Sequence, residues 1–123
     1  MTEDNHRIFI VEDEVVVAFE MTDMLEDLGF EVVGPSVHVE DAKRLADEAK
    51  IDAAFLDVNM GSGKTSKPVA EILRDRDIPF VFITAYSADQ ISFKTSDEKE
   101  LSKPVTSDQV LSTLRKVLPD LEE

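Results

Sequence analysis

Short apolar stretches alternate with helix-like stretches along the 123 residues, and this alternation constrains the fold more than any other feature. The stretch 52–57 shows the strand pattern most clearly, because every residue between its two terminal aspartates is apolar and the run is too short for a typical helix. A brief apolar run bounded by polar residues is typical of a strand buried on both faces. The sequence predicts strands at 6–11, 30–35, 52–57, 78–83 and 100–102.

Between these strands, apolar residues recur at helical spacing. The spacing predicts helices over 15–28, over 39–50, from 66 or 67 to about 77, and from 106 or 107 to 117, with Gly29 ending the first and Pro68 near the start of the third. The polar segment 88–99 predicts only a short or irregular helix.

Strands and helices that alternate in this way form a parallel sheet with helices on both faces, since the crossovers are right-handed. We therefore predict a doubly wound α/β fold with five parallel strands. We expect one domain over residues 1–119, followed by an acidic tail at 120–123.

The composition excludes several classes of function. A formal net charge of −14 argues against direct nucleic-acid binding, because phosphate backbones require Lys and Arg surfaces. No apolar run approaches the roughly 20 residues of a membrane helix, so we expect no membrane insertion. The polar, acidic residues 1–6 do not resemble a signal peptide, and cysteine is absent. These features fit a cytoplasmic protein.

Polar side chains follow four of the predicted strands. They are Glu12 and Asp13 after the first strand, Asp57 at the end of the third, Thr84 after the fourth and Lys103 after the fifth. In a doubly wound sheet, the carboxyl ends of the strands share one edge, where ligands bind. Three carboxylates held together repel one another, and a hard divalent cation such as Mg²⁺ relieves that repulsion through oxygen ligands.

The same residues could carry phosphoryl chemistry. A carboxylate such as Asp57 can act as a nucleophile and form an acyl phosphate. Phosphoryl transfer then needs positioning and charge neutralisation. Mg²⁺ would cover one phosphoryl oxygen, the Lys103 ammonium a second and the Thr84 hydroxyl a third.

With these motifs in place, the sequence resembles the receiver domains of bacterial two-component response regulators along almost its whole length. The matching residues are Glu12-Asp13, Asp57, Thr84-Ala85 and Lys103-Pro104. The resemblance implies a flavodoxin-like sheet of order 2-1-3-4-5 and a cis peptide bond before Pro104.

The resemblance also implies roles for the residues at this edge. Asp57 would accept a phosphoryl group from a histidine kinase or a phosphotransfer protein, and Thr84 and Lys103 would contact that group. Asp13, Asp57 and the backbone carbonyl of Asn59 would ligate Mg²⁺, with Glu12 acting through water. A stand-alone receiver of this kind would act on a downstream protein partner, either as an adaptor or as a sink for phosphoryl groups.

A narrower resemblance concerns the stretch 79–86, which is similar to the fourth-strand motif of an alphaproteobacterial group of single-domain regulators. That motif reads Phe-Ala-Thr-Gly, a variable residue and often Tyr nearby, whereas Ala85 stands here in place of the Gly. Receivers usually carry an aromatic residue three positions before the Lys, and here that position is Glu100. We therefore hypothesise that Tyr86, with Thr84, takes part in the switch.

Other interpretations compete with this one. The run 61–65 resembles the end of a phosphate-binding P-loop, but Val58 stands where that motif needs Gly, and Pro68 indicates a later helix start. A Mg²⁺-dependent phosphatase of the haloacid-dehalogenase kind would use Asp57 as nucleophile, but it needs an acid two positions later, where Asn59 stands. A third alternative is a degenerate receiver that serves only as a structural adaptor, which the intact Asp13, Asp57 and Lys103 disfavour.

Overall fold

The computed structural model of the protein describes residues 6–85, 93–95 and 98–118. Five strands and four helices lie within these residues. In chain order they are β1 (Arg7–Val11), α1 (Val15–Asp27), β2 (Glu31–Ser36), α2 (Val39–Glu48), β3 (Ala53–Asp57), α3 (Lys67–Asp75), β4 (Phe80–Thr84), β5 (Lys99–Ser102) and α4 (Ser107–Val117). Most ends differ from the predicted ones by only a residue or two.

The strands form one parallel sheet in the order β2-β1-β3-β4-β5. This confirms the predicted fold class and the order that the family resemblance implied. The central strands β3 and β4 are buried at every residue, as the continuous apolar runs predicted. Because all five strands are parallel, their carboxyl ends lie along the same edge.

The core has two layers, one on each face of the sheet. Side chains that alternate along β1 go to opposite layers: Phe9 packs with α2 and α3, whereas Ile8 packs with α1 and α4. Both residues have no exposed surface, and burying a side chain of this size contributes about 1.5–3 kcal/mol. The sheet therefore packs between two pairs of helices, one pair on each face. This packing positions the loops at the edge of the sheet.

The helix ends largely follow the sequence signals. Gly29 has a φ of +94° just beyond α1, a conformation that glycine adopts without steric cost. Pro68 lies in the first turn of α3, which begins at Lys67. A P-loop would require the helix to begin near Lys64. At the start of α4, the Thr106 hydroxyl accepts a hydrogen bond from the backbone amide of Gln109, and the Gln109 side-chain oxygen accepts one from the backbone amide of Thr106.

Three predictions concern residues outside the described part of the chain. These are the Tyr86 switch, the acidic tail at 120–123 and most of the expected helix over 88–99. At the end of that segment the helix prediction is wrong, because Lys99 pairs with Val81 as the first residue of β5. None of the helices among the described residues combines the length and apolar character that a membrane span requires.

Candidate functional site

The carboxyl ends of four parallel strands bring the predicted polar residues to one edge of the sheet. Glu12 and Asp13 follow β1, Asp57 ends β3, Thr84 ends β4 and Lys103 follows β5. A cavity of about 260 Å³ opens at this edge. It is lined by Asp13, Glu14, Asp57, Asn59, Gly61, Ala85 and Lys103.

Three carboxylates meet beside this cavity. Glu12, Asp13 and Asp57 each offer an oxygen, and these oxygens all lie within 4.8 Å of one another. Glu12 is 1% exposed and Asp57 5% exposed, whereas Asp13 is half-buried. Like charges at this separation, largely removed from water, oppose ionisation of one another.

The Lys103 ammonium lies among the carboxylates. Its Nζ is 3.3 Å from Asp57 Oδ2, 3.2 Å from Glu12 Oε2 and 3.0 Å from Glu14 Oε1. Among the described residues, Lys103 is the positively charged side chain in contact with these acids. Its one ammonium is therefore shared among three carboxylates. The predicted cis peptide bond between Lys103 and Pro104 is present.

Burial and neighbouring charges shift the pKa values of both Asp57 and Lys103. Burial, helped by the adjacent Glu12 and Asp13, raises the pKa of the Asp57 carboxyl from 3.8 to about 8, although the Lys103 charge opposes this. Burial alone would lower the pKa of the Lys103 ammonium, but the hydrogen bond to Glu14 and the charges of Asp57 and Glu12 outweigh it and raise the pKa. The site therefore favours any ligand that brings positive charge to Asp57.

The chemistry of these donors fits a hard cation. The Glu12 Oε1 atom is buried and accepts no hydrogen bond from the described residues, although it lies 3.1 Å from the Lys103 Nζ. A buried carboxylate oxygen without a hydrogen bond is costly in a protein interior. A cluster of carboxylate oxygens without His or Cys favours Mg²⁺ over softer metals. The residues present therefore suit the ion that the family resemblance implied.

The remaining predicted residues have different relations to the cavity. Asn59 lies on its wall and forms an isolated antiparallel bridge with Thr65. Thr84 is 3% exposed, and its carbonyl accepts a hydrogen bond of 2.8 Å from the Lys103 amide, but its neighbour Ala85 lines the cavity instead. Tyr86 lies outside the described residues.

Two residues at the cavity were not predicted as functional. Glu14 contacts Lys103, and its position directly after the acidic pair was the available signal. Gly61 has a φ of +80°, and a Cβ atom at this position would lie 3.1 Å from Asp13 Oδ2. Gly61 therefore permits the loop after β3 to approach the Asp13 carboxylate closely, a contact that only the folded chain reveals.

Comparisons with known proteins agree with this fold. The family described as "Response regulator receiver domain" matches residues 8–115. The solution structure of SdrG from Sphingomonas melonis Fr1 superposes with a TM-score of 0.82 at 42% identity, covering 95% of this chain and 99% of SdrG. A second SdrG structure, described as the BeF3-activated conformation and assigned to Pseudomonas melonis Fr1, gives a TM-score of 0.78 at 42% identity over 94% of this chain and 99% of that one.

Two curated relatives are similar over part of their length. The transcriptional regulatory protein PdtaR of Mycobacterium tuberculosis is 33% identical over 81 residues, which cover 66% of this chain and 40% of PdtaR. The phyllosphere-induced regulator PhyR of Methylorubrum extorquens is 32% identical over 81 residues, which cover 64% of this chain and 30% of PhyR. The chain thus spans less than half of either relative, and SdrG and PhyR are consistent with the narrower resemblance. The family match over residues 8–115, together with the fold and with the acidic residues and Lys103 at the sheet edge, shows that the chain belongs to the receiver domains of two-component response regulators.

Proposed function

We propose that the protein is a cytoplasmic phosphoacceptor in which Asp57 takes a phosphoryl group from a histidine kinase or a phosphotransfer protein. The observation that carries this proposal is the contact of the Lys103 ammonium with the Asp57 carboxylate inside a cavity that is open to solvent. An aspartate that served only to pair with a lysine would not need a cavity of this size beside it, nor two further buried or half-buried acids.

The chemistry follows from the positions of these groups. An Asp57 carboxylate oxygen attacks phosphorus, the bond from phosphorus to the donor's imidazole nitrogen breaks, and an acyl phosphate forms while the imidazole leaves. The Lys103 ammonium neutralises charge on a phosphoryl oxygen, and Thr84 at the end of β4 donates its hydroxyl to another. Mg²⁺ held by Asp13, Asp57 and the Asn59 carbonyl, with Glu12 acting through water, would supply further positive charge to the phosphoryl oxygens.

The protein that donates the phosphoryl group needs a surface next to this cavity. The first turns of α1 expose Val15, Val16 and Phe19, whose exposures are 51%, 69% and 59%. Residues three and four positions apart share one face of a helix, so these side chains form a single apolar patch beginning one residue after Glu14. We propose that this α1 patch, defined by Val15, Val16 and Phe19, packs against the phosphodonor protein.

Small phosphodonors test the chemical part of the proposal. Incubation with acetyl phosphate and Mg²⁺, followed by intact mass spectrometry, should show one added phosphoryl group in the wild-type protein and none in Asp57→Ala. Asp47→Ala, an exposed aspartate on α2, is the matched control and should be labelled like the wild type. Labelling of Asp57→Ala to the wild-type level would refute Asp57 as the acceptor.

A second experiment tests the α1 patch. Phe19→Asp should slow transfer from a phosphorylated donor protein, whereas its rate with acetyl phosphate should stay at the wild-type level, because the small donor needs no docking surface. Equal slowing with both donors would show that the substitution damages the site and not the docking.

The proposal leaves two roles that the lifetime of the phosphoryl group distinguishes. A sink that drains phosphoryl groups from a kinase should lose the group rapidly, whereas an adaptor should keep it long enough to bind its protein partner. Loss of the label is measured after the donor has been removed.

A phosphatase would instead release phosphate from added substrate through many cycles. Measuring released phosphate beside the mass of the protein would reveal this activity.

A further inference from the structure

The three hydrogen-bonding positions of the Lys103 ammonium are already taken in the unphosphorylated protein. A lysine ammonium has three N–H donors and no acceptor. Carboxylate oxygens from Glu12, Glu14 and Asp57 lie 3.2, 3.0 and 3.3 Å from the Nζ. For Lys103 to bind a phosphoryl oxygen, at least one of these carboxylates has to move away.

Glu14 is the carboxylate that can leave most easily. The side chain of Glu12 is 1% exposed and that of Asp57 6% exposed, so both are largely buried, whereas the Glu14 side chain is 61% exposed. Ion pairs that face solvent are weak and exchange readily with water. Moving the Glu14 carboxylate into solvent therefore costs far less than moving either of the others.

Within the described part of the chain, the sequence neighbours of Glu14 do not hold its side chain in place, and its side-chain ion pair is with Lys103. Glu14 is the N-cap residue of α1, but its side chain makes no capping hydrogen bond. Its backbone amide donates to Glu12 Oε2 at 3.1 Å, a contact that any residue at position 14 would retain. Lys103 is thus the contact that fixes the Glu14 carboxylate over the cavity, whose wall it also forms.

From these contacts we infer that the Glu14 carboxylate occupies the hydrogen-bonding position on Lys103 that a phosphoryl oxygen would take. Until it is displaced, Glu14 therefore slows the uptake of a phosphoryl group. The inference rests on the proposed function, since it assigns Glu14 a regulatory part in the same site. Glu14 acts in two ways: it competes for the ammonium, and its negative charge repels an anionic phosphodonor at the mouth of the cavity. Once the phosphoryl group is attached, Glu14 turns to solvent.

Substitution of Glu14 provides the test. Glu14→Gln removes the charge and keeps the shape, and Glu14→Ala removes the competing group entirely. With acetyl phosphate at saturating Mg²⁺, we expect both variants to be phosphorylated roughly two to five times faster than the wild type, the range that a weak exposed ion pair allows. The advantage should shrink at high salt, because exposed charges are screened.

Glu26→Gln serves as the control. Glu26 is exposed on the same helix near its other end, so the substitution changes the net charge by the same amount far from the cavity. We expect its phosphorylation rate to equal that of the wild type. Thermal unfolding of Glu14→Gln should match the wild type, which separates a role in uptake from a role in folding.

The outcomes decide between the inference and the proposed function. If the wild type is labelled on Asp57 and both Glu14 variants react no faster than Glu26→Gln, the inference is overturned and the phosphoacceptor function stands. If both Glu14 variants are slower, Glu14 assists uptake, which also overturns the inference. A wild-type protein that takes up no phosphoryl group would overturn the proposed function and the inference with it.

Discussion

Replacing Asp57 with Asn should stabilise the protein in the absence of divalent cations. The pKa of Asp57 is about 8 in the folded protein against 3.8 as its ordinary value. Because the folded pKa is raised, the folded state keeps a proton that the unfolded state has lost, so stability falls as pH rises from about 4 to about 8. At pH 7 this corresponds to a ceiling of about 4 kcal/mol. Solvent in the cavity reduces the effect, and we expect a gain of about 1–3 kcal/mol for Asp57→Asn.

The assay is urea unfolding at pH 5 and pH 7.5 in EDTA. Asp57→Asn should exceed the wild type by more at pH 7.5 than at pH 5, and its melting temperature at the higher pH should rise by roughly 3–10 °C. Lys103 keeps Glu12 and Glu14 as partners in this variant, so its charge remains compensated. Asp47→Asn on the exposed face of α2 is the control. A variant that is no more stable than the wild type at pH 7.5, or a difference that does not change with pH, would refute the reasoning.

Three further predictions concern the cation, the loop after β3 and the segment before β5. Mg²⁺ at ten times its dissociation constant should stabilise the wild type by about 1.4 kcal/mol, and Asp13→Asn should lose most of this gain; an unchanged gain would remove Asp13 from the ligand set. Gly61→Ala should weaken Mg²⁺ binding roughly tenfold, as expected when the surroundings of a ligand are disturbed, because its Cβ would press on the Asp13 carboxylate. Gly63→Ala, with a φ of +75° and no atom of the described residues within 4 Å of its Cβ, has a similar backbone strain and should leave Mg²⁺ affinity unchanged. Equal effects at both glycines would contradict the contact between Gly61 and Asp13. Arg74→Met should cost about 2 kcal/mol in urea unfolding, because it removes two 2.7 Å hydrogen bonds from Glu98, whose side chain is 13% exposed; a loss below about 0.5 kcal/mol would class the pair with exposed ones.

The sheet could be predicted because its signals are local. The residues at 80–83 are apolar at successive positions, and a strand covered on both faces requires that pattern. β5 was harder to delimit, because Lys99 and Ser102 at its ends are exposed, and an edge strand needs few apolar residues. Its pairing with β4 is a long-range contact that the local composition does not encode.

The site was predictable to the extent that it depends on topology. Once the strands are parallel, Asp13, Asp57 and Lys103 have to lie at the same edge, whatever the details of the loops. The contact of Glu14 with Lys103 spans 89 residues of sequence and depends on the angle at which α1 leaves β1, which no local pattern specifies. The close approach of Gly61 to Asp13 likewise depends on the folded path of a loop.

The charge balance of the cavity explains why uptake should depend on a cation. Among the described residues, the Lys103 ammonium contacts the carboxylates of Glu12, Glu14 and Asp57, and a fourth carboxylate, that of Asp13, lies beside Glu12 and Asp57. Phosphorylation replaces the single negative charge of the Asp57 carboxylate with the roughly two negative charges of an acyl phosphate, a gain of about one. Displacing Glu14 frees one ammonium position, but it does not compensate the two buried or half-buried acids that remain beside Asp57. Without a cation the phosphorylated site would hold more uncompensated charge than the free one, so labelling by acetyl phosphate in EDTA should be slow even in Glu14→Gln. Fast labelling of that variant in EDTA would show that relief of Lys103 alone is enough.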